Sequence, residues 1–247
     1  MKHKYGRCLL GVLLAISLLL CGCEKTDSTL YPLEDLTQTM ESSLKTGHFF
    51  FAGKVTAAGI NEQMISYYEE EAENNTFYQV EVTEDFFGCM PEEAITVCIF
   101  GTTGNFTSRT NLEEGKEYLF DTTLWVHGEE AVFLLPSFYL GMPQRSGETL
   151  YYTEAGQMAA VDGSFTQYKQ HLSELAAKTG YTAESVLAAV TAQLETAVEK
   201  DAAYFEELSF EEIDTEHLET TTGTAQTLLA EAKETEPSWE AIRGILQ

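Results

Sequence analysis

The amino-acid sequence predicts an α+β fold in which a small antiparallel β-barrel is followed by a C-terminal helical region. Between residues 47 and 163, apolar side chains recur at every second position in short runs, which is the period of half-buried strands. From residue 164 onward they recur at every third and fourth position, as in amphipathic helices. Because closure removes exposed sheet edges, five or six such strands favour a closed or nearly closed barrel.

The first 22 residues have the pattern of a secretory signal peptide. Lys2, Lys4 and Arg7 precede an apolar stretch from Cys8 to Gly22. This stretch is short for a membrane span, which needs about 20 residues, and has the size of the apolar region of a signal peptide. An uncleaved N-terminal anchor helix is the alternative interpretation.

The end of this stretch, Leu20-Cys21-Gly22-Cys23, resembles the lipobox of bacterial lipoprotein signal peptides, in which a small residue precedes the lipidated cysteine. Gly22 before Cys23 meets that requirement, whereas the bulkier Leu20 precedes Cys21. The resemblance implies cleavage between Gly22 and Cys23 and a thioether-linked diacylglycerol on Cys23. The two acyl chains would hold the protein on the extracytoplasmic face of the bacterial cell membrane.

The charge of the chain excludes some classes of partner. The formal net charge is −26, and loss of residues 1–22 removes three basic residues, leaving 11 basic against 40 acidic residues, or −29. A chain this acidic repels phosphate polymers and anionic head groups, so we expect no nucleic-acid ligand and no direct adhesion to anionic lipid.

A short tether and a short helix are predicted before the barrel. Residues 23–32 are polar and form the tether, and residues 33–46 form the helix. The apolar positions of that helix recur at spacings of three and four, and Gly47 stands where it would end; they are Leu33, Leu36, Met40 and Leu44.

The barrel, at residues 47–163, is predicted to begin with two strands in 48–59 and 76–88. Strands at 94–100, 116–126 and 131–135 follow, the last two joined by a tight turn at His127-Gly128-Glu129, and a hairpin at 149–163 ends the region. On the strand at 94–100, Ile95, Val97 and Ile99 share one side, which leaves Cys98 on the opposite one.

Helices are predicted for the acidic region at 164–247. Ser164 and Gln167 occupy capping-box positions for the first helix, which ends at Gly180, and Thr182 is the predicted cap of the second. From Glu195 to Glu219, ten acidic residues accompany one basic residue, and a solvated helix face explains them better than a cation site. Residues 219–237 are weakly patterned, and a final short helix is expected at 238–247.

Four barrel segments carry a pattern of alternation and glycines: Phe51-Ala52-Gly53-Lys54-Val55, Tyr78-Gln79-Val80-Glu81-Val82, Phe86-Phe87-Gly88 and residues 112–120. They resemble the strand pattern of netrin-like, or metalloproteinase-inhibitor-like, OB-fold domains. The resemblance spans residues 47–163 and implies an OB-like barrel. The inhibitors of that group chelate a protease zinc through a free N-terminal cysteine and carry several disulfides. Here the thiol of Cys23 would be lipidated and could not chelate zinc. The resemblance therefore implies the fold of that group and not its inhibitory activity.

Few residues qualify as chemical sites. Cys89 and Cys98 are the candidate pair for a disulfide, which extracytoplasmic conditions permit; two small buried thiols are the alternative. His127 and the two carboxylates after Gly128 include metal-ligand types, but neighbouring residues in a two-strand turn point to different faces. We therefore predict no catalytic residue, metal site or cofactor.

Three function classes follow from these observations. The first is a lipid-anchored, non-catalytic binding or assembly module with an envelope protein as partner. The second is a solute-binding lipoprotein of a transporter, which is disfavoured because no repeated strand–helix alternation predicts two α/β lobes. The third is an envelope enzyme whose site has no local sequence motif.

Overall fold

The computed structural model describes residues 30–37, 40–64, 73–100, 112–135, 142–154, 157–207 and 215–247. Within this part of the chain, Tyr31–Gln247 belong to one compact unit. The strands are β1 (Tyr31–Pro32), β2 (Phe49–Met64), β3 (Glu73–Asp85), β4 (Ile95–Phe100), β5 (Glu117–His127), β6 (Glu130–Leu135), β7 (Gln144–Ser146), β8 (Thr149–Glu154) and β9 (Gln157–Ser164). The helices are α1 (Leu33–Thr37), α2 (Met40–Lys45), α3 (Phe165–Thr179), α4 (Ala183–Glu207), α5 (Thr215–Glu234) and α6 (Trp239–Ile245).

Five strands close into a barrel in the order β2-β3-β4-β6-β5, with β5 returning to β2. Four of the five pairings are antiparallel, and β4 pairs with β6 in parallel. The parallel pair follows from the topology. Because β5 runs antiparallel to β2 and forms a hairpin with β6, β6 must run in the direction of β4. The predicted mixed α+β fold with a barrel is confirmed, and the expectation that all its strands run antiparallel is wrong for this pair.

Aromatic side chains fill the inside of the barrel. The ring of Phe51 stacks on Phe120, with centroids 4.8 Å apart, and meets the edge of Phe133 at 6.1 Å. All three side chains are buried. Beside them, a Cβ on Gly53 would lie 2.5 Å from Val80 Cγ1, so any larger residue at this position would push β2 away from β3.

The outward side of β2 is also buried, which the sequence did not indicate. Phe50 points away from the barrel interior and contacts the rings of Phe87 and Tyr181, and Trp239 of α6 stacks on both of those rings. The helices therefore cover this part of the barrel, so apolar residues occupy both sides of the strand and simple alternation fails here.

Strands β7, β8 and β9 extend the sheet beyond the barrel. β7 pairs with β5 at Glu117 and Tyr118, and β1 adds to β9 in parallel. Neither β1 nor β7 was predicted, because two or three residues are too few to show alternation. Arg145 holds β7 in place: its guanidinium lies 3.6 Å from the Phe165 ring centroid and forms ion pairs with Glu84 and Glu117.

The helix boundaries follow the predicted caps in most places. Ser164 and Gln167 form the expected capping box of α3, which ends at Gly180 with a φ of 73°. Thr182 caps α4 by accepting a hydrogen bond from the Ser185 amide. The predicted helix at 33–46 is described as α1 and α2, and Gly47, at a φ of 74°, follows α2.

Residues 219–237 have only a weak helical pattern in the sequence, yet most of them are helical in the structure. Most of this segment lies in α5, whose threonines and glycine have low intrinsic helix propensity. Tertiary contacts stabilise it: Ala225 and Ala232 are buried, and Lys233 forms an ion pair with Glu195 of α4 at 2.7 Å. Packing against α4 overrides the weak local preference.

Among the helices within the described ranges, none is both long enough and apolar enough to cross a membrane.

Candidate functional site

The predicted lipidation site lies outside the residues that the structure describes. Gly22 and Cys23 both precede Leu30, the first described residue, as does the whole signal-peptide stretch. The assignment of Cys23 therefore stays a prediction from the sequence.

The two candidate disulfide cysteines are not bonded to each other in the structure, and both are buried. Cys98 belongs to a small apolar cluster with Phe77, Val132 and Leu134, whereas Cys89 belongs to the main core. The strand pattern had correctly placed Cys98 opposite Val97. The two cysteines therefore lie in different apolar clusters, and the disulfide stays a prediction that the labelling experiment below tests.

We expect neither thiol to react in the folded protein. Burial, followed by the charge of nearby Asp85, raises the pKa of the Cys89 thiol, and the thiolate is the reactive form. Iodoacetamide labelling followed by peptide mass spectrometry should leave Cys89 and Cys98 unmodified in the native chain. Both should become labelled in denaturant without reductant. Protection that persists in denaturant and ends only on reduction would show a disulfide instead.

The His127 turn is a structural turn, as predicted. Gly128 adopts a φ of 59°, and the His127 ring stacks on Phe77 with centroids 4.8 Å apart. Thr221 and Thr224 of α5 bond the backbone N–H and C=O of Gly128, respectively. The turn therefore docks α5 on the barrel. No cluster of three metal-ligating side chains is found in the described ranges.

A buried histidine–carboxylate pair was not predicted. His48 Nδ1 lies 2.5 Å from Asp121 Oδ1, and the Tyr181 hydroxyl donates to the His48 carbonyl at 2.6 Å. His48 immediately precedes β2, Asp121 lies in β5, and Tyr181 lies in the α3–α4 connection. No local motif could have revealed the pair, and its contacts serve to join these elements.

One exposed part of the barrel is a polar face on β2, β3, β4 and β6, whose side chains are joined by hydrogen bonds. Thr56 donates to the Gln79 carbonyl, the Gln79 amide donates to Thr96 Oγ1, and Thr96 donates to Glu130. Lys54 and Glu81 are register partners beside this chain of hydrogen bonds. We call this surface the polar barrel face; its residues are Lys54, Thr56, Gln79, Glu81, Thr96 and Glu130.

A second candidate site is an open cleft of about 490 Å³ between the N-terminal elements and α3. Gly163 permits the close approach of α1 to β9, since a Cβ there would lie 2.8 Å from Leu33 Cδ2. We call it the acidic cleft; it is lined by Pro32, Leu33, Glu34, Thr37, Asp162, Gln167, Gln170, His171 and Glu174.

The acidic cleft lacks lysine and arginine among its lining residues, whereas Glu34, Asp162 and Glu174 each contribute a carboxylate. These residues come from α1, β9 and α3, which are far apart in the sequence. Sequence analysis missed the cleft for that reason: each carboxylate alone looks like an ordinary solvated side chain in an acidic protein.

No protein-family model, curated protein or solved structure matches this chain.

Proposed function

We propose that the protein is an extracytoplasmic lipoprotein, anchored through a diacylglyceryl group on Cys23, that acts as a non-catalytic binding or assembly module for an envelope protein. The lipobox resemblance of Leu20-Cys21-Gly22-Cys23 supports the location. The exposed polar barrel face is the observation that carries the binding role.

The topology of the barrel supports an OB-like interpretation. An OB-fold is a five-stranded Greek-key barrel that binds ligands on the outward face of its second and third strands. Counted along the barrel, the second and third strands here are β3 and β4. Gln79, Glu81 and Thr96 lie on that outward face, which is the surface that an OB-like barrel would present to a ligand.

The chemistry of the face favours a protein partner over a nucleic acid. Single-stranded nucleic acids bind to grooves with basic side chains and stacking aromatics. The polar barrel face has one cation, Lys54, against Glu81 and Glu130, and it has no aromatic residue. Its hydrogen bonds hold the side chains in a defined arrangement, which lowers the entropy lost when a partner binds.

Reversal of one charge tests this surface directly. Tagged full-length chain, recovered from cell envelopes after crosslinking, is expected to retain a specific set of proteins. Glu81→Lys should lower their recovery at least tenfold, because it introduces repulsion and an unpaired charge within the contact area. Glu231→Lys is the matched control, since it makes the same charge change on an exposed part of α5, away from the barrel face.

Equal recovery with Glu81→Lys and wild type would exclude the polar barrel face as the binding surface. Failure to recover any specific partner with the wild-type chain would contradict the binding-module proposal itself. Circular dichroism of each variant should match that of the wild type, which separates loss of binding from loss of folding.

A further inference from the structure

Exposed apolar side chains are concentrated at one edge of the sheet. Among the residues whose exposure the structure describes, the large apolar side chains that stay exposed are Leu30, at 49%, and Met158, at 55%. Leu30 directly precedes β1, and Met158 lies in β9, the strand that pairs with β1. Single apolar residues scattered over a surface would be ordinary, but these two lie on adjacent segments of one sheet edge.

The β8–β9 hairpin has a core side and an outward side. Tyr31 and Tyr152 pack against the main core, and their ring centroids lie 4.2 Å apart. Because side chains alternate along extended chain, the neighbours of these tyrosines are expected on the outward side, where Thr153 and Met158 are register partners. We call this outward surface the hairpin patch; its residues are Leu30, Tyr151, Thr153, Met158 and Ala160.

The hairpin patch is uncharged although the chain is strongly acidic. Residues 149–153 and 157–161 contain no charged side chain, whereas the whole chain has a formal net charge of −26. Glu154, the last residue of β8, is the one charged residue between Glu148 and Asp162. Tyrosine, with an apolar ring and a polar hydroxyl, is typical of the boundary between water and lipid. Such a surface matches the headgroup level of a bilayer better than the hydrocarbon interior, where a carboxylate is costly.

The length of chain before β1 limits how far the hairpin patch can lie from the membrane. Leu30 follows Cys23, the predicted lipidated residue, by seven positions. Extended chain covers at most about 3.6 Å per residue, so Leu30 lies within about 25 Å of the lipid-bearing residue. The predicted anchor therefore keeps this edge of the sheet beside the bilayer.

We propose that the hairpin patch is a membrane-contact surface that rests at the headgroup level of the bilayer and orients the anchored domain. Leu30 and Met158 enter the region between the headgroups and the acyl chains, and Tyr151 lies at the same level. The inference rests on the proposed lipid anchor and adds which side of the domain faces the membrane. The contact supplements the two acyl chains and does not replace them.

The charges beside the patch select the type of lipid surface. Glu154 and Asp162 border it in the sequence, and Asp162 is exposed. Their carboxylates are repelled by anionic headgroups, so the contact is expected to be stronger on a zwitterionic bilayer than on an anionic one.

A fluorophore at position 158 measures the contact. Met158→Cys in the full-length chain supplies a thiol for a polarity-sensitive dye, whereas Cys89 and Cys98 are buried and Cys23 would carry the lipid. The lipidated chain is reconstituted into phosphatidylcholine vesicles that contain phosphatidylcholine with a nitroxide near the headgroup end of one acyl chain. Quenching by the nitroxide should be at least threefold stronger at position 158 than for the same dye on Glu231→Cys, an exposed position of α5.

A second variant tests whether the patch itself produces this contact. Leu30→Gln, added to the labelled Met158→Cys chain, should lower the quenching at position 158 at least twofold, because it replaces an exposed apolar side chain by a polar one. Glu231→Gln in the same background is the matched control and should leave the quenching unchanged. Circular dichroism spectra that match the wild type confirm that the variants fold.

Flotation of the vesicles separates this inference from the anchor. A chain that floats with the vesicles while its dye is quenched no more at position 158 than at position 231 would overturn the membrane-contact surface alone. A chain that does not float would contradict the lipid anchor, and the membrane-contact surface with it. A dye that leaves the water only after envelope proteins are added would assign the hairpin patch to a protein partner and overturn the proposal as well.

Discussion

Cys23→Ala is expected to abolish metabolic labelling with a radioactive or alkyne-tagged fatty acid and to shift the protein out of the lipid-modified fraction. The physical reason is that the thiol of Cys23 is the acceptor implied by the preceding small residue, Gly22. Without the diacylglyceryl group, the chain lacks the two acyl chains that stable anchoring by lipid requires. Labelling, followed by detergent phase partitioning, measures both effects.

The matched control is Cys21→Ala, which removes the neighbouring cysteine and leaves Gly22-Cys23 intact. Labelling of this variant should remain close to the wild-type level. Lipid labelling that survives the loss of Cys23, or that disappears with the loss of Cys21, would contradict the assignment of the acceptor.

Phe51→Ala is expected to lower the free energy of unfolding by about 3–5 kcal/mol, the largest stability change that we predict. Phe51 is fully buried, stacks on Phe120 and meets the edge of Phe133, so it joins three strands inside the barrel. Its removal leaves a cavity that the closed barrel cannot collapse around. Since domains are stable by only about 5–15 kcal/mol, the loss is a large share of the total.

Denaturant unfolding monitored by circular dichroism measures this change, and Lys54→Ala on the same strand is the control. Lys54 is exposed, and its replacement should alter the free energy of unfolding by no more than about 0.5 kcal/mol. A loss below about 1 kcal/mol for Phe51→Ala would show that the aromatic cluster does not hold the barrel together.

Local sequence patterns predicted the elements that are stabilised by contacts between residues close together in the sequence. The capping box at Ser164 and Gln167 was confirmed because its two hydrogen bonds join residues three positions apart. The side of β4 on which Cys98 lies was predicted because side chains alternate along any strand. The His127 turn was predicted for a similar reason, since Gly128 marks a two-residue connection.

The errors and omissions concern features that depend on distant contacts. Residues 219–237 have low helix propensity, and only packing against α4 and the barrel turn makes α5 stable. The two-residue strand β1 forms because β9 offers it a partner. The sequence did not indicate that the outward side of β2 is covered, because Phe87 and Tyr181, whose rings contact Phe50, lie far from it along the chain.

The candidate sites differ in how far the sequence could reveal them. The lipobox resemblance is local, and the prediction for Cys23 depends on four consecutive residues. The polar barrel face needs the strand order, since Gln79, Thr96 and Glu130 meet only after three strands pair. The acidic cleft needs the docking of α1 on β9, which places Glu34 and Asp162 in the lining of one cleft.

Composition, strand and helix periods, helix caps and turns follow from the order of the amino acids, because each depends on charge or on contacts within a few residues. The parallel β4–β6 pair, the outward surfaces that helices cover and the grouping of three carboxylates in one cleft depend on the tertiary structure. These features arise when barrel closure and helix packing bring distant residues together. The free energy that favours one such arrangement is summed over many contacts, so no single local pattern encodes it.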